Sequence, residues 1–343
     1  MSLYGKHFLS IKQLTRQDLE GLFALAKLLE PVARGEMRTN ILDGAALGSL
    51  FFEPSTRTRL SFDSAFMRLG GRVSHTISEA DSSMSKGESV YDTSCVTSGF
   101  YDIFTIRHSR PEVIEEFANA TNVPVINGGS GPKEHPTQAL LDVYTIKKEL
   151  ERNSKTIDGA TVTFVGDLKY GRTAHSLVYA LSVFSNMTFL LVSPKQLTLP
   201  SEVTAYARQR GHKLVCAESL AQALKDSDIV YGTRLQKERL SPEDSSIVIG
   251  EEFHISKGTI DRYAKKDIVI MHPLPRDSRP GDFGLLKDLD TDPRLAIFRQ
   301  TDNGVPIRMA LIAQIMGVDQ NIENTFVKAG WYRPKILRKN DLQ

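Results

Sequence analysis

The sequence predicts an α/β architecture: two doubly wound parallel-sheet domains joined by long helices, with a C-terminal helix packing back on the first domain. Three observations predict it. Short β-rich runs alternate with amphipathic helical runs, which implies parallel strands with helices on both faces. The alternation comes as two series, separated by one long helical stretch, "TQALLDVYTIKKEL". At 343 residues the chain is also too long for one ordinary core and suits two.

The first series opens with "ALGSLFF", a buried strand. From Thr56 the spacing turns helical, with Phe62, Ala65, Phe66 and Leu69 on one face, and Gly70-Gly71 stop it. A strand near "RVSHTI", a helix through "ESVYDTSCVTSGF", a strand "YDIFTI", a helix "PEVIEEFANA" and a strand "VPVIN" follow. The glycine-rich loop "NGGSGPKEHP" then leads into the long helix. The second series begins at "ATVTFVGD" and continues through the helix "TAHSLVYALSVF", the strand "MTFLLVS", a helix near "SEVTAYARQRG" and the strand "KLVCA". It ends with the helix "SLAQALKDS" and the strands "DIVYGT" and "DIVIMHPLP". The last clear helix is "PIRMALIAQIMGV". The expected division is residues 1–148 completed by 304–318, a second domain over 149–303, and an extension over 319–343, with a cleft between the domains.

Composition narrows the function. Hydrophobic residues make up 41% and charged residues 24%, the balance of a soluble globular protein. A formal net charge of +2 recommends neither nucleic acid nor an anionic membrane as partner. Cys95 and Cys216 are far apart and outside any C-x-x-C unit, which argues against a disulfide framework and a zinc site and suits a reducing compartment. The N-terminus lacks an apolar signal region and no apolar run approaches a membrane span, so a cytoplasmic protein is expected.

Ligands of open α/β sheets bind outside the carboxyl ends of the strands, so the chemistry-bearing stretches are judged by whether they fall there. "STRTR" does: Ser55, Thr56, Arg57, Thr58 and Arg59 end a strand and begin a helix, where free backbone N–H groups and the positive helix end meet hydroxyls and a planar guanidinium. That is a phosphate cradle. An N-cap with solvated arginines is the plainer account, but it explains one hydroxyl, not three beside two arginines. "SSMSKGE" carries Ser82 and Lys86 on a small-residue loop, either solvated or a mobile arm delivering charge to an anion. "TIRHSRP" sets Arg107 and His108 at a strand end, as anion ligands or as surface residues. "KEHPTQ" puts His135 just ahead of a helix with Gln138 one turn on, two neutral donors for a carbonyl oxygen that gains charge, against a structural role for the histidine. In the second series "FVGDLKYGR" offers Arg172 at a helix start for a second anion, and "TRLQKER" adds Arg234, Gln236 and Arg239. The turn "HPLPR" presents the Leu274 and Pro275 carbonyls to an amide. Neither G-x-G-x-x-G nor a G-x-x-x-x-G-K-[ST] loop is present, so a nucleotide-dependent enzyme is poorly supported.

In their order and intervals "STRTR", "HPTQ", "GDLKYGR", "TRLQKER" and "HPLPR" resemble the aspartate/ornithine carbamoyltransferase family over about residues 5 to 318. "SSMSKGE" and "TRLQKER" resemble the aspartate-using branch, and the Asp and Ser-Met-Gly signals of the ornithine branch are missing. An ornithine or related carbamoyltransferase, or a non-catalytic assembly subunit of the same fold, is the alternative. The resemblance implies transfer of a carbamoyl group from carbamoyl phosphate to L-aspartate, with no cofactor and no metal. It implies that Ser55, Thr56, Arg57, Thr58 and Arg107 hold the phosphate, that His135 and Thr58 polarise the carbonyl, and that Gln138, Leu274 and Pro275 fix the amide. Arg172, Thr173, Arg234, Gln236 and Lys86 would bind aspartate. It further implies a homotrimer with shared sites, Ser82 and Lys86 entering from the neighbouring subunit, and Glu53 pairing with Arg172 and Arg239 to hold the domains closed. A regulatory chain or a dihydroorotase-like subunit is an admissible partner. Two stretches depart from the pattern: "DSRPGDFGLLKDLDTDP" lacks the usual Glu-Ile after the arginine, and the tail after residue 318 carries Trp331 and Tyr332 among cations. A solvated basic tail and packing on a subunit or partner are both open for it.

Overall fold

The computed structural model describes residues 3–244, 246–247, 250–276 and 285–331. In chain order its main elements are α1 (Arg16–Arg34), β1 (Met37–Arg38), β2 (Ala46–Phe51), α2 (Thr56–Arg68), β3 (Arg72–Thr76), α3 (Val90–Thr97), β4 (Ile103–His108), α4 (Pro111–Ala120), β5 (Val125–Ser130) and α5 (Pro136–Arg152). There follow β6 (Thr161–Val165), α6 (Arg172–Leu181), β7 (Thr188–Val192), α7 (Ser201–Gln209), β8 (Lys213–Cys216), α8 (Leu220–Asp226), β9 (Ile229–Gly232), α9 (Lys257–Tyr263), β10 (Val269–Met271), α10 (Ile297–Asp302), α11 (Gly304–Ile315) and β11 (Val327–Lys328). Two compact units result, one of residues up to Leu140 with the C-terminal part from Asn303, the other Leu141–Asp302.

The first unit is built on a parallel sheet of order β3-β2-β4-β5. Leu50, Phe104, Ile106, Ile114 and Phe117 pack one of its cores, with Phe104 and Phe117 edge to face. Helix α11 is buried nearly all round (Ile307, Met309, Leu311, Ile312), as a helix without a polar face must be, and it packs against α1 and α2. Helix α1 precedes the expected series and was not among its elements. It has a complete capping box, Thr15 with Asp18, and an apolar face from Leu19 to Val32.

The second unit carries a parallel sheet of order β10-β9-β6-β7-β8, with Val165, Val192, Val230, Ile270 and Leu295 in its core. Each sheet reverses its winding once. The strand after β2 lies on one side of it and β4 on the other; β6 stands likewise between β7 and β9. The carboxyl ends of β2 and β6 are therefore switch points, where ligands of such sheets bind.

Past α11 the chain returns to α1. Strand β11 pairs antiparallel with β1, and the Trp331 ring lies against the left-handed turn at Gly35 that ends α1. Trp331 thus packs on its own unit while staying exposed. Tyr332, the rest of the tail and residues 277–284 of the departing loop lie outside the described residues. Among the described residues no helix is long and apolar enough to cross a membrane.

One ion cluster lends the second unit an acid-sensitive hold. The Arg294 guanidinium grips the buried Asp292 carboxylate at 2.6 and 2.9 Å and also bonds Asp261. Next along the chain, Leu295 bridges Ile270 of β10. The Arg294 hydrogen bond, outweighing the upward push of burial, lowers the Asp292 pKa from 3.8 to about 2. A depressed carboxyl stabilises the fold above its unfolded value and loses that stabilisation as pH falls. Asp292 should thus contribute on the order of 2 kcal/mol at neutral pH, vanishing between about pH 4 and pH 2. Urea unfolding of Asp292→Asn across that range should show a lower midpoint at pH 7 that converges on the unaltered protein at low pH; parallel curves would refute the assignment.

Candidate active site

In the first unit the candidate residues gather at the β2 switch point. Ser55 is the N-cap of α2, yet its hydroxyl makes no capping hydrogen bond. The plainer account of "STRTR" therefore lacks its central contact. What remains is a helix start whose first N–H groups have no acceptor within the helix, with Thr56 and Arg57 exposed and Thr58 buried. Thr58 Oγ1 is 3.2 Å from His135 Nε2.

His135 owes its place to a tightly fixed loop. Gly131, in the left-handed region at φ 44°, approaches the Ser109 carbonyl so closely that a Cβ would sit 2.1 Å from it, so only glycine fits. Glu134 accepts from Ser10 Oγ at 2.8 Å and from the Ile11 N–H, tying the loop to the N-terminal segment. The His135 carbonyl accepts the N–H groups of Gln138 and Ala139, so the backbone of His135 starts α5 while its buried imidazole turns to Thr58. Gln138 follows on the first turn, half-buried.

Arg107 stands one residue before the end of β4 beside β2, its backbone in register with Phe51, and is buried. Its guanidinium forms an ion pair with Glu53 at 3.1 Å. His108 is 1% exposed; Nδ1 accepts the Arg110 N–H, so the proton is on Nε2, which donates to Glu79 at 2.6 Å. Glu79 opens the segment that carries Ser82 and Lys86. Lys86 itself is exposed, ending a short turn closed by Gly87.

In the second unit two of the candidate stretches meet at the β6 switch point. Gly166, at φ 109°, would place a Cβ 2.3 Å from the Thr233 carbonyl oxygen, so β6 and the chain leaving β9 touch backbone to backbone there. Asp167 follows, fully buried, accepting the N–H groups of Tyr170 at 2.9 Å and Gln236 at 3.0 Å. One carboxylate thereby joins "GDLKYGR" to "TRLQKER", and burial pushes its pKa up. Arg172 begins α6 and is buried, with Thr173 beside it. Arg234 donates to Glu238 at 3.0 Å and to the Leu235 carbonyl. Burial pushes the Glu238 carboxyl up, but the Arg234 bonds and charge outweigh it and hold it below the ordinary range. Gln236 Nε2 donates to the Arg234 carbonyl, and Arg239 ends the short turn that follows. Asp244 fastens the outer part of the loop, accepting from Lys169 Nζ at 2.6 Å and Tyr170 Oη at 2.7 Å. Leu274 lies past β10 with φ 57°, followed by a cis bond to Pro275.

Comparison with known proteins places the chain in a family. The family model described as aspartate/ornithine carbamoyltransferase, carbamoyl-P binding domain, matches residues 6–148, and its Asp/Orn binding domain partner matches residues 158–315. The chain belongs to the aspartate/ornithine carbamoyltransferase family. Within the family it is 50% identical over 341 residues to the aspartate carbamoyltransferase catalytic subunit of Dichelobacter nodosus, covering 99% of this chain and 98% of that one. The catalytic subunit of Saccharophagus degradans is 45% identical, covering 98% of this chain and all (100%) of its own. Among solved structures, aspartate transcarbamoylase from Trypanosoma cruzi in complex with carbamoyl phosphate and aspartate is similar at TM-score 0.83 and 36% identity, covering 92% of this chain and 98% of that one. The same enzyme in complex with N-(phosphonacetyl)-L-aspartic acid has the same score.

Sequence reasoning missed Asp167. The available signal was an acid directly after a buried apolar strand, a place where an unpaired carboxylate is costly and so must have partners.

Proposed function

We propose that the chain catalyses carbamoyl transfer from carbamoyl phosphate to L-aspartate, giving N-carbamoyl-L-aspartate and phosphate as a step of pyrimidine biosynthesis in the cytoplasm. The observation that carries this reading is the Thr58–His135 pair, held at the positive end of α2, with Arg107 on the strand next to β2. Full-length identity to catalytic subunits of that name supports it.

Residues 1–148 with 304–318 act as the carbamoyl-phosphate half and 149–303 as the aspartate half. The N-terminal turn of α2, with Ser55, Thr56, Arg57 and Thr58, binds the phosphate together with Arg107. His135 and Thr58 donate to the carbonyl oxygen, and Gln138 with the Leu274 and Pro275 carbonyls takes the amide. Arg172, Thr173, Arg234 and Gln236 bind the two carboxylates of aspartate, and Glu53 and Arg239 serve closure. The aspartate amine attacks the carbamoyl carbon, forming a C–N bond; the C–O bond to phosphate then breaks. The phosphate leaves with the bonding electrons and takes the proton the amine gives up. No side-chain nucleophile is required, so positioning and fixed positive charge supply the rate gain.

The active form in this reading is a homotrimer, Ser82 and Lys86 completing a neighbour's site. Lys86 stands exposed, and Leu60, Met67, Ile77, Tyr91 and Phe100 leave large apolar surfaces open on the same unit, which supports burial against another copy. The direct test is an assay of the purified protein with carbamoyl phosphate and either amino acid. Carbamoyl aspartate should form; turnover with ornithine alone would overturn the reading.

A further inference from the structure

Leu274 adopts a backbone conformation in the left-handed region that side chains rarely take, and such a residue persists only where its surroundings over-determine it. What holds it is a chain of buried hydrogen bonds. The Leu274 N–H donates to His272 Nδ1 at 2.9 Å, and the His272 N–H donates to Gln300 Oε1 at 3.2 Å. Gln300 Nε2 donates to Asp142 Oδ1 at 2.6 Å, and the second Asp142 oxygen accepts from Tyr231 Oη at 2.7 Å. Tyr231 in turn interacts with the Thr173 hydroxyl, and burial, with the Asp142 charge beside it, pushes its phenol well above the ordinary range and keeps it a donor. His272, Gln300, Asp142 and Tyr231 are all at most 1% exposed.

The polarity of this chain has a single solution. Backbone N–H groups at one end can only donate, and an ionised carboxylate at the other can only accept. Gln300 must therefore turn its carbonyl to His272 and its amide nitrogen to Asp142. The backbone donors at one end and the buried carboxylate at the other thus agree on one direction for every bond between them. We propose that Asp142 and Gln300 are positioning residues that fix the Leu274–Pro275 turn, and with it the carbonyls that select a carbamoyl amide. This rests on the reading above, in which those carbonyls accept that amide.

Exchanging the two polarities tests it. Gln300→Glu alone sets two acceptors face to face at Asp142, and the turn should loosen. The double variant Asp142→Asn with Gln300→Glu restores a donor opposite an acceptor at each step and leaves the net charge unchanged. Binding is read with two probes, carbamoyl phosphate, which carries the amide, and inorganic phosphate, which does not. Gln300→Glu should weaken carbamoyl phosphate about tenfold or more while phosphate binding stays within about twofold, and the double variant should recover most of the loss. Should Gln300→Glu fail to fold, Gln300→Met, which removes both bonds with little change in shape, should give the same split. Equal losses for both probes, no loss, or a double variant no better than the worse single one overturns the proposal. Failure of the underlying reading shows separately, as an unaltered protein that does not bind carbamoyl phosphate at all.

Discussion

Arg57→Ala should lower kcat/KM on the order of a thousandfold while leaving the fold nearly as stable as before. The two halves of that expectation have different sources. Arg57 is exposed at the first turn of α2, so its removal opens no cavity; a surface substitution costs within about 1 kcal/mol. Its guanidinium, however, can meet a phosphate with two parallel bonds as charge grows on the leaving group. Losing one preorganised donor of that kind costs roughly a hundred- to a thousandfold in rate. The α2 N–H groups and Arg107 remain, so activity should fall far without vanishing. The same variant tests shared sites. In the proposed homotrimer, mixing Arg57→Ala chains with Lys86→Ala chains, each strongly impaired alone, should restore activity, because one site per mixed trimer draws an intact Arg57 and an intact Lys86 from different chains. Full activity of Arg57→Ala would place catalysis elsewhere, and silent mixed trimers would confine each site to one chain.

Arg57 and Arg107 were legible because ligand sites of α/β folds sit at strand ends, and strand ends show as breaks in an apolar run. The same logic blurred two boundaries. "YDIFTI" marked a strand ending before Arg107, whereas β4 continues through His108. Both polar residues are buried inside the strand, where acids distant in sequence meet them: Glu53 forms an ion pair with Arg107 and Glu79 accepts from His108. Likewise Gly128, Gly129 and Ser130 look like a loop, yet they extend β5, held by Asn127 Oδ1 and by Glu134 across the turn. Helix α4, by contrast, was readable end to end, since Pro111 at its first turn and the spacing of Val113, Ile114 and Phe117 are purely local signals.

Pairings between remote segments were the least legible. Nothing local in "FVKAGW" indicates that two of its residues pair with Met37 and Arg38, because so short a strand exists only through its partner. The acids Asp142 and Asp167 are similar cases. In sequence each is an ordinary polar residue, on a helix face or after a strand; its burial and its ring of donors arise only when three or more segments converge. The candidate residues at strand ends could thus be read from the sequence, and the buried groups that position them could not.

His135→Ala should lower kcat on the order of a hundredfold and change the KM for carbamoyl phosphate much less. The carbonyl oxygen gains most of its negative charge on the way to the tetrahedral state, so a donor aimed at it matters more to the transition state than to binding. The substitution also leaves the scaffold in place. The hydrogen bonds that begin α5 come from the His135 carbonyl, not from the ring, and Gly131 and Glu134 fix the loop independently. His135→Asn, which keeps a side-chain N–H donor, should recover part of the lost rate. Thr58→Val removes the hydroxyl at constant shape. Because Thr58 Oγ1 and His135 Nε2 are in direct contact, the double variant should lose less than the product of the two single losses. Independent, multiplying losses would mean that the two groups serve different atoms. A His135→Ala enzyme with unchanged kcat and a raised KM would show that the imidazole binds the ground state and has no larger part in the chemistry.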